Sequence, residues 1–124
     1  METSPDSVAH AARFSSDEAT LVRVVALLDS DDSAVRAAGV DILGWFGLDP
    51  VTGRAMHGAA VVDALVPRLG AERDPDILAL VIDVLCRRGA YDRIQGAVIP
   101  LSRHSSPNVR AAAAVALEGL RKAS

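Results

Sequence analysis

The chain of 124 residues is long enough for one domain with a substantial core. Half of it is apolar, yet only Phe14, Trp45, Phe46 and Tyr91 are aromatic, so the core has to be built from Ala, Val, Leu and Ile, as in closely packed helices. A formal charge of −3, with Lys122 the only lysine among thirteen dispersed basic residues, argues against a polyanion binder, and no nucleic-acid partner is expected.

Residues 1–16 read as a tail in which Val8, Ala9, Ala12 and Phe14 give a short capping helix. This segment lacks the basic start and apolar stretch of a secretory signal, and no apolar run is long enough to span a bilayer. A cytoplasmic protein with no membrane role is expected. Ser16, followed by Asp17 and Glu18, opens the next helix with carboxylates at the positive end of its dipole. Its stripe is Leu21, Val24, Val25 and Leu28. Asp32 or Ser33 caps a second helix whose Val35, Ala38, Gly39, Ile42, Leu43 and Phe46 follow the three-and-four step of a packed face.

The stretch "GLDPVTGRAMHG" is a loop, marked by Pro50 and Gly53. Beyond it Val62, Leu65, Val66 and Leu69 form another stripe that Gly70 would stop. Asp74-Pro75 then starts a helix carrying Ile77, Leu80, Val81, Val84 and Leu85, with Gly89 as its stop. Ile94, Ala97, Val98 and Leu101 predict the next helix. Ser106-Pro107 opens the last, with Val109, Ala112, Ala113, Ala116, Leu117 and Leu120 on one side.

Aligning Val35, Ile77 and Val109 superposes "SAVRAAGVDIL", "PDILALVIDVL" and "PNVRAAAAVAL". Leu28 lies seven residues before Val35, Leu69 eight before Ile77, and Leu101 eight before Val109, the signature of a repeated hairpin. Such units stack into a one-dimensional solenoid, for which about three repeats are the minimum. The expected fold is therefore all-α, an α-solenoid of about three antiparallel helix hairpins with a short N-terminal capping helix. Its repeat domain covers 17–124, in units of about 17–47, 57–88 and 91–122.

The combination of an aliphatic first helix, a short acidic or Ser/Pro turn and a second helix beginning "VRAA" resembles HEAT repeats, especially the short HEAT-like variety associated with bilin lyases. The resemblance covers about residues 17–122. It implies a superhelix and a hydrogen-bonded ladder between units, in which a turn aspartate, Asp29 or Asp31, meets Arg36. The pattern departs at Leu78, which stands where the other units have Arg36 and Arg110, and at His104, which replaces the turn aspartate of the last unit.

Few residues suggest chemistry. His10, His57 and His104 are not spaced as metal ligands, and Cys86 sits in an apolar run as a small buried hydrophobe. No catalytic, metal or cofactor site is expected, and Asp41 and Asp83 read as exposed helix carboxylates. Opposite the packed stripes lie Ala37, Val40 and Gly44, then Ala79, Ile82 and Cys86, then Ala111 and Ala114, flanked by Asp41, Asp83 and Glu118. In a solenoid these positions would line the concave face as a shallow apolar strip. Trp45, next to the inward-facing Phe46, is a second anchor candidate.

The expectation is a non-enzymatic module that binds another protein through Val40, Asp41, Trp45, Ile82, Asp83 and Glu118, as an adaptor, regulator or inhibitor. Immunity-type inhibition of a toxin domain and an accessory ligand-handling role like that of bilin-lyase subunits are the alternatives. The small apolar residues of the last helix also suggest a homo-oligomer formed through it. The arginine bias hints at a GC-rich bacterial source.

Overall fold

The computed structural model describes residues 18–46 and 58–123, and every regular element in them is helical. The expected capping helix and the loop 47–57 lie outside the described residues. The chain divides into two compact units, Met1–Val61 and Val62–Ser124.

In the first unit α1 (Glu18–Ala26) runs into a single 3-10 turn, Leu27–Asp29, and α2 (Ser33–Trp45) packs back on both. Leu21, Val24, Leu27 and Leu28 are buried from one side, and Val40, Ile42, Leu43 and Phe46 from the other. Gly39 permits the close approach. A Cβ there would stand 3.0 Å from Leu27 Cβ and 3.3 Å from Leu28 Cδ2, so a larger residue would require these neighbours to give by a few tenths of an ångström. The helix starts because Asp32 accepts a hydrogen bond from Ala34 N–H at 2.9 Å, which makes Asp32 the cap.

The division between the units falls inside α3 (Gly58–Leu65). The stripe Val62, Leu65, Val66 and Leu69 predicts one continuous helix. The structure instead breaks it into α3 and the single-turn α4 (Arg68–Ala71), with Pro67 at the join. Proline supplies no N–H and disfavours helical geometry in the residue before it. Leu65 and Leu69 remain buried across the break. Gly70 lies within α4 and is not a helix stop.

Helix α5 (Pro75–Arg87) is the centre of the second unit. It packs on α4, on α6 (Tyr91–Leu101) and most extensively on α7 (Pro107–Ala123), which also covers α6. With neighbours on several sides α5 buries a wide arc: Ile77, Leu78, Val81, Ile82, Val84 and Leu85. The α7 face toward it is made of Val109, Ala113 and Ala116, all fully buried, and their small side chains let the helices lie close. Asp74 caps α5 by accepting from the N–H groups of Asp76 (2.9 Å) and Ile77 (3.3 Å). At the other end Gly89 takes φ +74°, its N–H donating to Cys86 O and that of Ala90 to Leu85 O. These two bonds make the Schellman stop expected of this glycine.

Candidate functional site

The three turns that enter α2, α5 and α7 share one hydrogen-bond pattern. The side chain two residues before each cap accepts from the cap's own N–H: Ser30 Oγ from Asp32 at 3.1 Å, Glu72 Oε2 from Asp74 at 3.0 Å, and His104 Nδ1 from Ser106 at 3.0 Å. The cap's carbonyl then accepts the first helical bond, from Arg36, Leu78 and Arg110 respectively. Positions 30, 72 and 104 fall in the same register as Val35, Ile77 and Val109. The sequence echo thus corresponds to a repeated turn, although its acceptor is a hydroxyl, a carboxylate and an imidazole in turn.

The arginines of the echo brace these turns. Arg36 Nη1 donates to the carbonyls of Ser30 (2.9 Å) and Asp31 (3.2 Å), and Arg110 Nη1 to those of His104 (2.8 Å) and Ser105 (2.9 Å). These bonds go to main-chain oxygens. Leu78 stands at the matching position of the middle turn and is buried in the core instead. Two side-chain bonds cross between helices of the second unit. Asn108 Nδ2 donates to Asp76 Oδ1 at 2.8 Å, joining equivalent positions at the starts of α7 and α5, and Arg93 of α6 pairs with Asp63 of α3.

Two of the six residues expected to bind a partner lie in the core. Val40 is 1% exposed and Ile82 fully buried, so neither belongs to an open apolar strip. Counting residues opposite a single stripe assumes that a helix is covered on one side only, and α5 is covered on several. Asp41 and Asp83 are exposed, Asp83 paired with Arg87 one turn on at 3.2 Å. Trp45 is half-buried, while Phe46 is fully buried as expected. Glu118 is exposed and held by Arg121.

Glu118 borders a recess. The outward side of α7 carries Ala111, Ala114 and Val115, the last 64% exposed. Beside them a shallow open hollow of about 440 Å³ is lined by Tyr91, Ala114, Val115, Glu118, Gly119 and Lys122. Its shape depends on Gly119, because a Cβ there would run into the Tyr91 ring, so the tyrosine lies directly on the glycine. The small apolar residues of α7 were legible in the sequence. The ring of Tyr91 across them was not, because it comes from the start of α6.

Chemical groups are sparse around this surface. No cluster of three or more His, Cys, Asp or Glu residues among the described residues is placed to hold a metal ion. Burial, and then the Asp83 carboxylate, push the Cys86 thiol above its ordinary range, which disfavours the nucleophilic thiolate. No helix among the described residues is long and apolar enough to cross a membrane. Comparison with known protein families, curated proteins and solved structures finds no match to the chain.

Proposed function

We propose that the chain is a small HEAT-like helical-repeat module that binds another protein and performs no chemistry of its own. The solenoid part of this reading is supported by the common turn pattern and by the second unit, where α5 packs on α7 and rungs join α5 to α7 and α3 to α6. The binding part rests on one observation, the open hollow on the outward side of α7. Here the face has alanines, a largely exposed valine and a glycine under a tyrosine ring, which suit an inserted apolar side chain. This outward side replaces the concave strip as the docking surface, since Val40 and Ile82 are spent on the core.

The test is a pair of substitutions on exposed positions, Ala114→Arg and Val115→Glu. Both should leave the thermal unfolding midpoint within about 2 °C of the native chain, since surface changes are worth about 0.5 kcal/mol or less. Proteins retained from the source cell by the native chain should be lost by both variants. Retention of the same set by all three chains would refute docking on α7. A second reading, a homo-oligomer through α7, is favoured by the same exposed Ala111, Ala114 and Val115. Sedimentation distinguishes it: the native chain would then be a dimer that Ala114→Arg converts to a monomer.

A further inference from the structure

The equivalence of the three turns singles out the last. Each turn depends on a side-chain acceptor for the N–H of its cap residue. A hydroxyl keeps its lone pairs at every pH, and a carboxylate keeps its charge down to about pH 4. Imidazole differs, because proton uptake turns Nδ1 from acceptor into donor, and its unperturbed titration lies near pH 6.5. For Nδ1 to accept from Ser106 N–H, the His104 ring must be neutral with its proton on Nε2.

We propose that His104 makes the turn into α7 a pH-sensitive latch: the neutral ring holds the start of the helix, and the imidazolium releases it.

Two neighbours reinforce the release. Arg110 sits on the carbonyls of His104 and Ser105, so a protonated ring places a second cation beside its guanidinium, and Arg103 precedes it in the chain. From α5 the Asp76 carboxylate reaches the start of α7, where it accepts from Asn108. An imidazolium therefore loses its acceptor role and puts a charge on the residue whose carbonyl already holds the Arg110 guanidinium. Proton uptake by the ring therefore removes a bond that the folded turn makes and the unfolded chain does not.

The experiment compares the native chain with His104→Ser, which installs the acceptor of the first turn. Between pH 8 and pH 5 the unfolding midpoint of the native chain should fall by about 3–6 °C more than that of the variant. His10 and His57 are present in both and cancel. In the native chain, nuclear magnetic resonance should show the Nε2–H tautomer of His104 at pH 8, and a Ser106 amide that titrates together with that ring. Parallel midpoints across the range would overturn the proposal. So would an Nδ1–H tautomer at pH 8, a result independent of whether the variant folds.

Discussion

Replacing Arg110 by methionine keeps the length of the side chain and removes both hydrogen bonds to the turn carbonyls of His104 and Ser105, at 2.8 and 2.9 Å. A bond from a charged donor is worth about 1.5–3 kcal/mol where water is excluded. Arg110 is exposed, and screening brings each bond nearer 0.5–1 kcal/mol. The expected loss is therefore about 1–2 kcal/mol, or about 3–8 °C in the unfolding midpoint for a chain of this size. Urea titration followed by circular dichroism measures it, with the midpoint shifting and the slope unchanged. Arg103→Met removes the same charge from an exposed position nearby and should cost less than about 0.5 kcal/mol. Arg110→Lys retains a cation and should recover part of the difference. If Arg110→Met and Arg103→Met were equally stable, the turn brace would contribute nothing, and the arginine of the echo would need another explanation.

Gly89→Ala forces a residue with a Cβ to φ +74° and should cost about 1–2 kcal/mol in urea titration, although no atom lies within 4 Å of the added methyl group. Cys86 should react with iodoacetamide at pH 7.5 several-fold more slowly than a free thiol, because its raised pKa leaves little thiolate, and the rate should climb with pH. Removing the lesser cause with Asp83→Asn should speed the reaction modestly while burial keeps it slow.

The helices were legible in the sequence because their signals are local. Asp32, Asp74 and Gly89 act within a few residues of themselves, and the packed stripes recur every three or four positions whatever lies against them. Two local signals were outweighed. The hydrophobic stripe from Val62 to Leu69 suggested one helix, yet Pro67 divides it. Gly70 read as a stop, but a glycine stops a helix only where the chain needs left-handed geometry, and α4 continues past it.

The candidate site was less legible because exposure is a property of neighbours. Val40 and Ile82 lie opposite a stripe and would be open on a helix covered from one side. For Ile82 the burial follows from the several elements around α5, which no periodicity within one helix encodes. The Tyr91–Gly119 contact joins residues 28 positions apart and needs the α6–α7 packing to exist first.

The same distinction explains why the echo fades where it does. What recurs in the three turns is a main-chain requirement, one acceptor for the N–H of the cap residue. Ser30, Glu72 and His104 all meet it with unrelated side chains, so a search for repeated letters passes over the position. Because the backbone sets only the geometry, the identity of the acceptor is free to carry other properties. Glu72 accompanies a turn in which a buried leucine stands in the place of the bracing arginine. His104 accompanies one in which the arginine is kept and the acceptor responds to protons. The position is equivalent in architecture and different in chemistry, and that difference falls on the helix whose outward side is left open.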